Sequence, residues 1–135
     1  MLRSKHIRNI ILLASATYLA SCDQIGTPAP KTINGEWKCS ETHYETGKST
    51  YYISIDYTDS TKKGIQIYNF NNLSGSCSAT VSGSNITIPK QTVDKHVIVG
   101  SGTISSDYKT LNFDYNDDPF GDGGGKVTTI CTRNQ

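Results

Sequence analysis

The sequence predicts an all-β domain, an antiparallel up-and-down meander of about eight strands closed into a small barrel. Three observations predict it. Tyr, Thr, Ile and Val recur in short runs while leucine is scarce, which suits pleated, half-buried surfaces. Apolar and polar residues alternate, most clearly in Tyr51-Tyr52-Ile53-Ser54-Ile55-Asp56-Tyr57, where Tyr51, Ile53, Ile55 and Tyr57 share a face. Clusters of Gly, Ser, Asn and Asp separate the runs as turns. After Cys22 no segment spaces apolar residues three and four apart over a helical length, so no helix is expected. Closing the meander removes the strand edges that invite aggregation.

The first strand runs from Gly35 to Thr42, with Trp37 and Cys39 on one face and Glu36, Lys38 and Ser40 on the other. Glu45 to Lys48 turns the chain into the second strand, Tyr51 to Tyr57, and Asp59 to Gly64 turns it into Ile65-Gln66-Ile67-Tyr68. A looser connection, Asn69 to Gly75, leads to a strand in which Cys77, Ala79 and Val81 alternate with serine and threonine. Gly83-Ser84 turns into Ile86-Thr87-Ile88, which Pro89 is expected to stop or to place at an edge, because proline offers no N–H to a ladder. His96 to Ser105 is a longer strand, with Ile98, Gly100, Gly102 and Ile104 on the face of His96 and the two glycines marking a bend. Ser106-Asp107 turns into Lys109 to Phe113, Asn116 to Gly125 is a long Asp/Gly loop, and Lys126 to Thr132 completes the set.

Ahead of these strands the chain begins with Arg3, Lys5 and Arg8, continues through an apolar run from Ile10 to Leu19, and closes on Leu19-Ala20-Ser21-Cys22. This resembles the signal peptide and lipobox of a bacterial lipoprotein. The resemblance implies cleavage before Cys22, a diacylglyceryl thioether on Cys22 and acylation of the new N-terminus by a chain such as palmitate. It further implies a lipid-anchored protein of the cell envelope, expected at the outer membrane; Asp23 acts as an inner-membrane retention signal in some enterobacteria only. A plain secretory signal and a retained anchor are the alternatives, although the apolar run of about a dozen residues falls short of the roughly 20 that span a bilayer. The expected organisation is a signal peptide over 1–21, a flexible tether over 22–32 with Gly26, Pro28 and Pro30, and the barrel domain over 33–135. Loss of Arg3, Lys5 and Arg8 leaves ten basic and twelve acidic residues, formally −2, with no basic stripe for nucleic acid.

Gly35-Glu36-Trp37, the repeated strand and turn pattern, and Gly100-Ser101-Gly102-Thr103-Ile104 resemble the lipocalin-like small barrels found as lipoproteins in Bacteroidetes-type bacteria. In lipocalins a Gly-x-Trp on the first strand packs its tryptophan across one barrel end, and Trp37 matches that position. The resemblance implies a non-catalytic protein that binds a small apolar ligand or an envelope component. Aromatic faces with polar tips suit such ligands, and Trp37, Tyr51, Ile53 and Tyr57, together with Tyr68 and Tyr115, are the candidate lining. The same residues can simply fill a barrel of this size. In the second reading the loops engage a protein, as some small β-barrel lipoproteins do against host lysozymes.

With Cys22 assigned to lipid, Cys39, Cys77 and Cys131 remain in an oxidising compartment. A closed, even-stranded meander makes the first and last strands neighbours, so Cys39 and Cys131 are expected to pair, contributing about 4–5 kcal/mol by loop entropy, and Cys77 to be a buried free thiol. An inward Cys131 puts Val127 and Thr129 inside and Ile130 outside, unless a bulge in the glycine-rich approach restores Ile130 to the core.

No catalytic motif is present: there is no Gly-x-Ser-x-Gly, His-Glu-x-x-His or phosphate loop, and His43 and His96 stand in no nucleophile or metal pattern. No enzyme, cofactor or metal is expected. The three cysteines are too dispersed for zinc. The acidic stretch Asp114 to Asp122 raises calcium, but Gly121 stands too late for an EF-hand and no glutamate closes the loop, so a hairpin loop is the plainer reading. Asp59-Ser60-Thr61 resembles a Bacteroidetes O-glycosylation signal and equally makes a turn.

Overall fold

Alternation carries the chain through eight antiparallel strands in a computed structural model that describes residues 31–133. These are β1 (Gly35–His43), β2 (Gly47–Tyr57), β3 (Gly64–Tyr68), β4 (Ser76–Ser82), β5 (Asn85–Val93), β6 (His96–Ile104), β7 (Thr110–Asp118) and β8 (Gly125–Arg133). Each pairs with the next, and β8 pairs with β1 to close a barrel. The expected signal peptide, Cys22 and the expected tether up to residue 30 lie outside the described residues.

Inward positions fill the barrel axis. Trp37, Ile55, Ile67, Ile98, Leu111 and Phe113 are buried there. Between β3 and β4 the loose connection contains a single 3-10 turn, Phe70–Asn72, whose Phe70 ring enters the barrel edge-on to Phe113 at 5.3 Å and against Tyr115 at 4.7 Å. Gly100 and Gly102 make room for β7. A Cβ on Gly100 would lie 2.4 Å from that of Tyr115, and one on Gly102 would lie 2.7 Å from the Phe113 ring. Gly102 therefore leaves space for the Phe113 ring, and Gly100 lets β7 approach closely at the Tyr115 backbone and Cβ.

Several boundaries differ from the sequence reading. β5 runs through Pro89 to Val93, with a register shift between Ile88 and Gln91 where the missing N–H falls. The Gln91 side chain takes over part of the lost ladder: its Oε1 accepts the Ser78 N–H at 2.8 Å and its Nε2 donates to the Ser78 carbonyl at 2.7 Å. β7 continues to Asp118, taking three residues from the expected loop, because Asn116, Asp117 and Asp118 pair with Val99, Ile98 and Val97 of β6. β2 starts at Gly47, before the expected Tyr51. No bulge rescues Ile130: β8 keeps register with β1, Val127 and Thr129 face inward, and Ile130 is 53% exposed on the outside.

Candidate functional site

The barrel has two unlike ends. The described chain enters at one, the tether end, beside the turns 58–63, 83–84 and 105–109. The other, the far end, carries the loops 44–46, 69–75, 94–95 and 119–124. The far end is lined by polar side chains on inward positions. On β1 the alternation that buries Trp37 and Cys39 continues to Glu41 and His43; on β7 the alternation of Leu111, Phe113 and Tyr115 continues to Asp117. All three of these extensions are set by strand geometry.

Asp117, 1% exposed, is the hub. Its Oδ2 accepts from His43 Nε2 at 2.9 Å and Asn71 Nδ2 at 2.8 Å, and its Oδ1 from His96 Nδ1 at 2.8 Å. The His43 tautomer is fixed from behind, because its Nδ1 accepts the backbone N–H groups of Glu45 at 3.1 Å and Thr46 at 3.4 Å. Asn71 holds a left-handed backbone, φ 57°, a conformation asparagine tolerates better than most residues. Its Oδ1 lies 2.9 Å from the Tyr115 hydroxyl, which lies 2.8 Å from Glu41 Oε2. Tyr51 donates to the same Oε2 at 2.5 Å and Thr129 at 3.3 Å. Two carboxyl groups are thus joined through Asn71 and Tyr115, with no lysine or arginine among their partners.

Burial pushes the Tyr51 phenol well above its ordinary range, with the Glu41 charge adding to it. Burial does the same to Tyr115, helped by Tyr51 and then Glu41. Both phenols therefore remain hydrogen-bond donors at neutral pH. Above this network opens a cleft of about 370 Å³ lined by Glu41, His43, Asn71, Leu73, His96 and Asp117, among others.

The chemistry this arrangement offers is binding by fixed donors and acceptors. His43 has both ring nitrogens engaged, so it has no free base to turn on a nucleophile. His96 carries Asp117 on Nδ1, and among the described residues no hydroxyl or thiol bonds its ring. The Cys77 thiol is buried in the core and burial pushes it up to about 12, far from a reactive thiolate.

The expected site residues are dispersed. Cys39 and Cys131 form the disulfide, directly opposite in the β1–β8 register with Cα atoms 4.0 Å apart, and Cys77 is free and buried. Trp37 and Ile53 face each other across β1 and β2 inside the core. Tyr51 belongs to the Glu41 network at the far end. Tyr57 lies at the tether end, its hydroxyl accepting from the Thr32 hydroxyl at 3.2 Å and the Ile33 N–H at 3.3 Å. The acidic stretch does not converge: Asp114 points outward beside Lys126 at 3.4 Å, Asp117 points inward, and Asp118 binds loop N–H groups. Glu41 and Asn71 escaped the sequence reading, which set His43 aside and took Asp117 only as part of the acidic stretch. Extending the two alternations by one or two residues was the signal that could have found three of them.

A redesigned β-barrel of solved structure aligns with 76% of this chain and 92% of its own length, at a TM-score of 0.54 and 17% identity, a likeness of fold alone. No protein-family model and no curated protein matches the chain.

Proposed function

We propose that this chain is a lipid-anchored envelope protein, acylated at Cys22, whose barrel is a non-catalytic module that meets a protein partner with its far-end loops. One observation carries the reading: Phe120 stands 75% exposed at the tip of a loop that is itself held in place. Asp118 Oδ1 accepts the N–H of Gly121 at 2.6 Å and of Asp122 at 3.1 Å, and Asn116 Nδ2 donates to the Gly123 carbonyl at 3.0 Å. Beside it Tyr44, 42% exposed, stacks on His43 at 4.6 Å and donates to the Asp117 carbonyl at 3.3 Å. Preordered, exposed aromatic side chains are the usual anchors of protein interfaces. The side chains filling the barrel axis weigh against a carried apolar molecule and toward the loops. The chain entering at the opposite end leaves these loops facing away from an anchor at Cys22.

The same proposal keeps the chain among the lipocalin-like envelope barrels of Bacteroidetes. Its support is Trp37, buried across the tether end with its Nε1 donating to the Ile33 carbonyl at 2.9 Å and the Arg133 guanidinium 4.5 Å over its ring. The test compares envelopes solubilised from the producing cells. The wild-type protein is expected to migrate in a complex larger than itself, Phe120→Ser to lose it, and Ile130→Ser to keep it. Equal migration of the two variants contradicts the proposal.

A further inference from the structure

The tether end carries a charge pattern that the far end reverses. Residues 31–34, 58–63, 83–84, 105–109 and Arg133 include five basic residues, Lys31, Lys62, Lys63, Lys109 and Arg133, against two acidic, Asp59 and Asp107. The far-end loops hold Glu45, Asp94 and Asp122 against Lys95 alone. At the tether end Lys31, Lys62 and Lys63 line one cleft of about 410 Å³ together with the apolar Ile33, Val81 and Ile104 and the rings of Tyr57 and Tyr108, and no carboxylate lines it. The nearby Asp59 is spent on the turn: it accepts from the Thr61 hydroxyl, the Lys63 N–H and the Gly64 N–H. Among the described residues none of these three lysines forms an ion pair. Lys62 also keeps a left-handed backbone, φ 59°, where glycine or asparagine would be unstrained, and that turn sets its ammonium over the Tyr57 ring at 5.8 Å.

A basic cleft with an apolar floor fits an anion that carries hydrocarbon behind it. Nine residue steps lead from Cys22 to Lys31, so a lipid on Cys22 keeps this end within about 30 Å of the bilayer surface. We propose that the cleft receives the phosphate of an anionic phospholipid head group, so that the tether end of the barrel rests on the membrane. This rests on the reading of Cys22 as lipidated. Lysines near an anionic surface are attracted within a Debye length and released by salt.

The test uses the full-length protein purified with its acyl chains and reconstituted in vesicles of phosphatidylcholine alone or with one third phosphatidylglycerol. Backbone hydrogen exchange is read in 58–63 and 105–109, with 44–46 and 119–124 as the reference at the other end. Exchange at the tether end is expected to slow at least about fivefold with phosphatidylglycerol, roughly the factor that attraction of a single lysine gives. The slowing should vanish in 0.5 M salt and in the double variant Lys62→Glu, Lys63→Glu, while the far end stays unchanged. Equal exchange in both vesicles, with the protein still vesicle-bound and acyl mass found on Cys22, overturns the head-group site and leaves the anchor standing. Protein that leaves the vesicles, or that carries no acyl mass on Cys22, overturns the anchor and the head-group site with it.

Discussion

Asp117 shows how one inward residue can organise a barrel end. A buried carboxyl group is tolerated only where donors surround it, and here they come from β1, from the turn after β3 and from β6. Asp117→Asn presents an amide N–H toward donors that need an acceptor. It should lower stability by about 2 kcal/mol, read as a melting-temperature drop on the order of 10 °C. The buried acids Cys77, Tyr51 and Tyr115 set a second expectation. Burial raises each of them above its unfolded value, near 9 for the thiol and 10 for the phenols. Their protonated forms are favoured by folding, so the stabilisation is whole below about pH 9 and is lost as the pH climbs past it, by up to about 1.4 kcal/mol per group and pH unit. Urea midpoints should therefore fall steeply between pH 9 and 11. Replacing Cys77 with valine should flatten the first part of that fall.

At the level of single elements, the 3-10 turn Phe70–Asn72 does two jobs from three residues. Phe70 plugs the barrel against Phe113 and Tyr115, and Asn71 bridges Asp117 to Tyr115. Phe70→Ala should cost about 3–5 kcal/mol, seen as a lower urea midpoint, and should loosen the far-end network as well, seen as faster exchange of the Glu45 and Thr46 amides. The strands were legible because their apolar residues alternate, and closure followed from their even number and short turns. The Cys39–Cys131 pairing followed from closure. The turn was illegible because nothing in Asn69 to Gly75 repeats, and its placement depends on partners far off in sequence, 46 residues away for Asp117 and 44 for Tyr115. Pro89 misled for a local reason: its cost to the ladder is real, but Gln91 and a register shift absorb it. Glu41 and Asp117 were hidden because acidic residues are almost always exposed, so an acid at an inward position is not counted with the buried face.

As a whole molecule, the barrel is closed by one ladder and one covalent bond in the same place. Cys39 and Cys131 are 92 residues apart, so their bond constrains nearly the entire folded domain. Replacing both with alanine should lower stability by up to about 4–5 kcal/mol, measured by denaturant titration against the oxidised protein. The two ends then divide the work in the proposed account, basic and membrane-facing where the chain enters, acidic and aromatic where the loops stand free. Paired photo-crosslinking in the producing cells tests that polarity most directly, with a benzophenone residue placed at position 62 in one strain and at position 120 in another. Adducts of lipid mass are expected from position 62 and of protein mass from position 120. Lipid adducts from position 120, or the same protein adduct from both positions, would contradict that polarity.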